Sequence, residues 1–285
     1  MWPLRHLPAP ALVIVARAFA SLAFDIFRAR RAVTLANLAI AFPEKPEPER
    51  RRIARASYEH AFYGAAEFVR MTRQGALANN HLQITSINEP DVSELLKDHG
   101  VIVTLGHFGS WEFLAHYWMQ RGVNLTILYK PMHNPIVDAE FLRMRQGSNA
   151  HFLSTRTEPR QMLSEMKRAA ENKGVLVFLA DQDARKDGVF VPFFGKNAST
   201  AAGPATMALR LNLPILPLAC IRTGLWNFQM IFGELIEPLP GGRTPENIHH
   251  MTEMHAAALE QMIRLAPEQY MWFHDRWKSA PRKKR

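Results

Sequence analysis

The chain of 285 residues holds a single cysteine, Cys220. One thiol closes no internal disulfide and builds no multi-cysteine zinc site. Its place in the apolar run from Pro217 to Ile221 marks it as a core residue rather than a nucleophile, and the chain suits a reducing compartment. Acidic charge is also scarce, with 26 Asp and Glu against 35 Lys and Arg and a formal net charge of +9. There is no internal repeat and no low-complexity tract beyond the basic tail, residues 278–285. A long apolar run free of charge is missing too: residues 9–27 are almost wholly apolar but carry Arg17 and Asp25, both costly at a bilayer centre. A hydrophobic content of 47% nevertheless excludes disorder as the default and supplies the core of one large domain or two small ones.

The basic residues cluster at Arg28, Arg30 and Arg31, at Arg50, Arg51, Arg52 and Arg55, and in the tail. Such clusters attract nucleic acid, an anionic bilayer or an acidic protein alike. No helix-turn-helix or aromatic-basic RNA motif accompanies them, which argues against nucleic acid. The apolar segment beside them favours an anionic membrane, as a marginal single span or a helix in the interface. A signal peptide cleaved near Ala18-Phe19-Ala20 is the competing reading, disfavoured because Arg17 interrupts the apolar stretch and arginines follow directly. Residues 1–31 are therefore expected to form a membrane-anchor or interfacial helix, single-pass or peripheral, ahead of a catalytic unit at 32–285.

Residues 49–71 read as a long helix, with Ile53, Ala56, His60, Ala61, Gly64, Phe68 and Met71 on one face and charge on the other. Strands are expected at 82–87, 101–105, 125–129, 175–180, 215–221 and 228–232. Helices are expected at 91–99, 111–121, 136–146, 159–171, 204–211 and 245–265. Strands alternating with helices predict an α/β fold, a mostly parallel or mixed central sheet flanked by helices, with reactive residues at the carboxyl ends of its strands. His107 and Asp181 both fall at such ends.

The most informative stretch is Gly106-His107-Phe108-Gly109-Ser110-Trp111-Glu112, at the end of the β-branched run from Val101. On one continuous helix, residues five apart diverge by roughly 140°, so His107 belongs in the turn before a helix. Ser110 is placed to cap that helix, with Glu112 in its first turn and able to bend back to the imidazole. A satisfied structural histidine is the plainer alternative. The spacing matches neither His-Glu-x-x-His nor its inverse, and no third ligand stands nearby, so no metal is expected. His249 and His250 read as exposed helix residues.

Together with its neighbours this block resembles the bacterial lipid A late acyltransferases of the lysophospholipid acyltransferase superfamily. The resemblance is carried, in order, by Asn37-Leu-Ala-Ile-Ala-Phe-Pro-Glu44, the His107 block, Tyr129-Lys-Pro-Met-His-Asn-Pro135 leading to Arg143-Met-Arg145, Ala180-Asp-Gln-Asp183, Val191-Pro-Phe-Phe-Gly195, Thr200-Ala-Ala-Gly-Pro204, and a closing Pro267-Glu-Gln-Tyr-Met-Trp-Phe-His274 with Arg276, Trp277 and Lys278. Ser110 stands where the family often has asparagine, and charge interrupts the N-terminal apolar segment.

The resemblance implies transfer of a fatty acyl group from an acyl carrier protein or coenzyme A thioester to a lipid hydroxyl, at the cytoplasmic face of an inner membrane and without a cofactor. The acceptor would be a lipid A-like glycolipid, a lysophospholipid or another glycolipid. A non-catalytic basic membrane or nucleic-acid binder is the rival from another class. His107 would serve as general base and Glu112 would orient it. The glycine-rich turn would offer backbone N–H groups to an oxyanion, and Arg143 or Arg145 a fixed positive charge, the alternative for both arginines being a solvated helix face. Asp181 and Gln182 carry over as substrate-binding candidates in what is otherwise an ordinary polar turn. Phe193, Phe194 and Gly195 would wall an acyl channel or simply pack in the core.

Overall fold

The computed structural model describes residues 8–74, 83–145, 150–224 and 226–280. Residue 82 of the first expected strand, residue 146 of an expected helix, and 281–285 of the basic tail lie outside the described residues. Three N-terminal helices, α1 (Ala9–Ser21), α2 (Arg31–Ala41) and α3 (Glu47–Gln74), precede a sheet that alternates with helices. In chain order these are β1 (Gln83–Ile87), α4 (Val92–Leu95), β2 (Val101–Leu105), α5 (Trp111–Gln120), β3 (Leu125–Tyr129), α6 (Pro135–Arg145), β4 (Ala150–Ser154), α7 (Pro159–Glu171) and β5 (Val175–Leu179). There follow β6 (Val189–Phe193), β7 (Lys196–Thr200), α8 (Gly203–Leu211), β8 (Ile215–Gly224), β9 (Asn227–Phe232) and α9 (Pro245–Leu265).

Seven strands form one sheet in the order β1-β9-β8-β2-β5-β3-β4, parallel except where β8 meets β9. The sheet is therefore mixed, as the alternation of elements anticipated. β2 lies at its centre and is buried along its whole length, which explains the unbroken run Val101-Ile-Val-Thr-Leu105: both faces are covered. Successive side chains go to opposite faces. Val101, Val103 and Leu105 pack with Phe113, Leu114, Tyr117 and Trp118 of α5, whereas Ile102 packs with Met166 of α7, Ala205 and Ala208 of α8, and Met251 of α9.

β6 and β7 form a separate hairpin. Its two-residue turn, Phe194 and Gly195, has both φ values positive, at 50° and 71°. That is the requirement of a type I′ turn, whose twist matches the flanking strands.

α1 packs along α3. Leu12, Ala16, Ala20 and Phe24, one per turn, are buried, while Ile14, Phe19, Leu22, Ile26 and Phe27 remain exposed. The two charges that interrupt the apolar segment both face α3: Arg17 pairs with Glu59 at 3.7 Å and Asp25 with Arg55 at 3.0 Å. Arg17 is 67% exposed, so its pair contributes about 0–1 kcal/mol. Burying Leu12 and Phe24 contributes about 1.5–3 kcal/mol each, and apolar packing decides the docking. After a π-helical turn at Leu22–Ile26 the chain turns through Arg28 and Arg30, both with positive φ. Among the described residues no single helix is long and apolar enough to cross a membrane; the pair Pro10–Ile26 and Arg31–Ala41, bent by 92°, passes on length and composition.

The chain also fixes its central turn rigidly. Gly109 has φ +62°, and a Cβ there would lie 2.0 Å from the Cys220 carbonyl oxygen. Gly109→Ala should therefore destabilise the protein by about 3 kcal/mol, from backbone strain plus overpacking. Thermal unfolding checks this: the melting temperature should fall by at least ~6 °C.

Candidate active site

β2 and β5 are neighbours in parallel register, with Leu105 opposite Leu179. Each strand runs two residues further, to His107 and Asp181, so the register itself brings the two side chains together at the carboxyl edge of the sheet. The backbone bond from Ala180 N–H to the Leu105 carbonyl, 3.0 Å, extends the pairing to the site.

Asp181 holds His107 twice. His107 Nδ1 lies 2.8 Å from Asp181 Oδ1, and the His107 backbone N–H donates to Oδ2 at 2.9 Å. An ionised carboxylate only accepts, so Nδ1 carries the proton, and in the neutral imidazole Nε2 keeps its lone pair. Asp181 is 2% exposed, while the imidazole is 22% exposed. Burial draws the imidazole pKa down, but the charge and hydrogen bond of Asp181, with Glu112 behind, outweigh it and the net direction is up. For Asp181, burial pushes the carboxyl up, and the His107 imidazole, its ring bond and the bond from the His107 backbone N–H pull it below the usual range.

Glu112 was expected to turn back to the imidazole. The structure gives that contact to Asp181, because the first turn of α5 directs Glu112 to Arg145 instead. Arg145 grips it with Nε, at 3.2 Å, and Nη2. The guanidinium also lies 5.7 Å from the ring centres of Phe68 and Phe141 and 6.0 Å from that of Phe152. Its two-pronged face is thus occupied by Glu112. Both groups still act on His107, Glu112 raising and Arg145 lowering its pKa, so the two pairs form one electrostatic unit.

Two expectations about the turn are corrected. Ser110 makes no capping bond to α5; its hydroxyl donates to Glu67 of α3 at 3.1 Å. The glycine-rich turn does not offer free N–H groups either. Those of His107, Phe108, Gly109 and Ser110 go to Asp181, Gly106, Gln269 and Cys220. The helix-terminal donors that remain are Trp111 and Glu112, which open α5.

Arg143 sits on the outer face of α6, 65% exposed and paired with Glu140, and no contact joins it to His107. Gln182 is exposed beside Asp181. Phe193 and Phe194 are buried in the core with Phe42, Trp272 and Trp277, and Gly195 is the exposed hairpin tip, so this block packs as core rather than as an open wall. His249 is exposed on α9, within 3.2 Å of the Phe190 carbonyl, and His250 is exposed as well. Cys220 is buried, and burial pushes its thiol well above the ordinary range. Among the described residues no group of three His, Cys, Asp or Glu is arranged to hold a metal ion.

Sequence reasoning missed what the closing block does. Met271 N–H donates to the His107 carbonyl at 3.1 Å, Tyr270 Oη to the Asp181 carbonyl at 3.3 Å, and Asp183 N–H to His274 Nε2 at 3.0 Å. The aromatic-rich stretch from Pro267 was visible in the sequence, but nothing in it announced that it would brace both reacting loops.

The model of the bacterial lipid A biosynthesis acyltransferase family matches residues 1–279. The chain belongs to that family. It is an acyltransferase, which sets aside the non-catalytic reading. Among its relatives, the lipid A biosynthesis lauroyltransferase of Escherichia coli K12 is 25% identical over 99% of this chain and 90% of that protein. The lipid A biosynthesis palmitoleoyltransferase of the same organism is 24% identical over 99% of this chain and 89% of its own length. A phosphatidylinositol mannoside acyltransferase of Mycobacterium tuberculosis H37Rv is 25% identical over 46% of this chain and 42% of its own. The crystal structure of a 1-acyl-sn-glycerophosphate acyltransferase from Thermotoga maritima aligns with a TM-score of 0.38 at 16% identity, covering 90% of this chain and 95% of that one.

The geometry of this family member makes a pH prediction. A base must be neutral, so turnover should rise with pH through the His107 pKa, which the site holds above the ordinary 6.5. Asp181→Asn removes the charge that raises it. The acidic limb of the kcat/KM profile should move to lower pH, and the plateau should fall by roughly 10²–10⁴-fold as the tautomer and imidazolium lose support. A limb that stays in place would remove Asp181 from the couple.

Proposed function

We propose that the protein moves a fatty acyl group from an acyl carrier protein or acyl-coenzyme A thioester to a hydroxyl of a lipid A-like glycolipid. The observation that carries this reading is the 2.8 Å contact of Asp181 with His107 Nδ1, which leaves Nε2 of the neutral, partly buried imidazole as the base. The acceptor hydroxyl gives its proton to Nε2 as its oxygen attacks the thioester carbonyl. The tetrahedral oxyanion collapses, the C–S bond breaks, and the departing sulfur takes the proton back from Nε2. Asp181 stabilises the imidazolium between these steps, with no protein nucleophile and no cofactor required. The N–H groups that open α5 and the Arg145 guanidinium supply positive potential for the oxyanion. Glu112, gripped by Arg145, fixes that cation and adds to the field on His107.

Lipid A as acceptor is supported by the names of the two Escherichia coli relatives, a lauroyltransferase and a palmitoleoyltransferase of lipid A biosynthesis, each matched over nearly the whole chain. A lysophospholipid or another glycolipid is the second reading, favoured by the match to the mannoside acyltransferase over part of the chain. We read residues 1–31 as the membrane-contacting element, at the cytoplasmic face of the inner membrane, and 32–285 as the catalytic unit. Ile26 and Phe27 are 65% and 75% exposed, and the exposed Arg28 and Arg30 follow them directly in the chain. Exposed apolar side chains beside cations suit an anionic interface, two weak signals together making a stable hold.

Two experiments test this. Purified protein given an acyl thioester should acylate a lipid A precursor, and His107→Ala should reduce turnover roughly 10²–10⁴-fold while the protein stays folded. Full activity in the folded variant would sink the mechanism, and transfer to lysophospholipid alone would select the second reading. Separately, replacing both Ile26 and Phe27 by Ser should release the protein from anionic vesicles in high salt, where the wild type stays bound by its apolar face. Equal sedimentation of both forms rejects this surface as the contact.

A further inference from the structure

A buried ion pair lies under the turn that carries His107. Arg222 of β8 donates from Nε to Glu67 Oε1 of α3 at 2.7 Å and from Nη2 to Oε2, and the two side chains are only 5% and 4% exposed. Arg222 Nη1 meets His60 Nδ1 at 2.9 Å. Burial first and Arg222 second push His60 down to about 3, so it is a neutral acceptor. The side chain of Gln269 locks the Arg222 backbone on both sides, accepting from its N–H at 2.9 Å and donating to its carbonyl at 2.8 Å.

Such a pair is weak evidence for stability, because well-packed apolar residues often replace one without loss. What apolar residues cannot reproduce is its outward connection. Ser110 Oγ donates to Glu67 Oε2, and the Ser110 N–H donates to the carbonyl of Cys220, two residues from Arg222 on the same strand. Ser110 is 3% exposed and stands between His107 and Glu112.

We propose that Glu67, held by Arg222, is a positioning residue for acyl transfer: through Ser110 it fixes the turn that presents His107 and the start of the helix that carries Glu112. The inference rests on the acyl-transfer reading above. Neither residue touches the reacting atoms; both act through the turn.

Ser110→Ala removes the link and leaves the ion pair in place. Glu67→Leu combined with Arg222→Met removes both charges, so neither is stranded. Full-length proteins are compared by thermal unfolding, by kcat and KM with one acyl thioester and one acceptor, and by NMR titration of the His107 imidazole. Ser110→Ala should melt near the wild type yet lose at least ~10-fold in kcat, with KM changed by less than ~2-fold, because small misplacements of a catalytic group cost rate rather than binding. Its His107 titration should move to lower pH as the hold of Asp181 loosens, and a folded double variant should behave alike. Wild-type kcat in Ser110→Ala overturns the proposal, whatever the double variant does. If the wild type acylates no acceptor, the acyl-transfer reading fails. The His107 titration in Ser110→Ala then decides: a shift to lower pH supports positioning by Glu67, and an unmoved titration overturns it.

Discussion

Asp181 holds His107 by its ring and by its backbone, and that double hold sets the orientation, the tautomer and the basicity of the imidazole at once. The hold exists because β2 and β5 pair in register and each runs on by two residues. A slip of one residue between the strands would turn each side chain to the other face of the sheet and break the couple. The central sheet therefore does more than bury apolar area. Its strands are buried on both faces, and their register places His107 against Asp181.

Charge is costly inside a protein, of order several kcal/mol per ion, and attraction offsets that cost only where geometry and hydrogen bonds are good. Asp181 and the Glu67–Arg222 pair are buried almost completely, whereas Arg145 and Glu112 are about one-fifth exposed. The two buried groups flank a turn whose N–H groups from His107 to Ser110 are all bound to the protein. With the chain between Gln269 and Met271 bonded to both ends, the turn has little freedom to follow the substrate. Preorganisation of this kind lowers the reorganisation needed as charge develops in the transition state.

Much of this could be read in the sequence, and what could not was long-range. The apolar run ending at Gly106 announced a buried strand, and the five-residue step from His107 to Glu112 announced a turn and then a helix, both as found. That Asp181 rather than Glu112 would take Nδ1 depended on the pairing of strands 74 residues apart, which no local pattern encodes. Ser110 had the signature of a helix cap, but tertiary contact with Glu67 claimed its hydroxyl. β4 was missed because Ala150-His-Phe-Leu-Ser154 is short and lies at the edge of the sheet, with no clear alternation to mark it. The hairpin turn was missed because Phe194 stands at a positive φ where asparagine or glycine is the usual cue. Arg17 and Asp25 read as flaws in an apolar helix; they pair with Glu59 and Arg55 of α3.

Nitrogen-15 NMR of the His107 imidazole in the full-length protein tests the central claim most directly. On the basic side of its titration the account predicts a protonated Nδ1 bonded to Asp181 and an unprotonated Nε2, with the titration itself above the ordinary 6.5. A proton on Nε2 with Nδ1 bare, or a titration below that value, would contradict it.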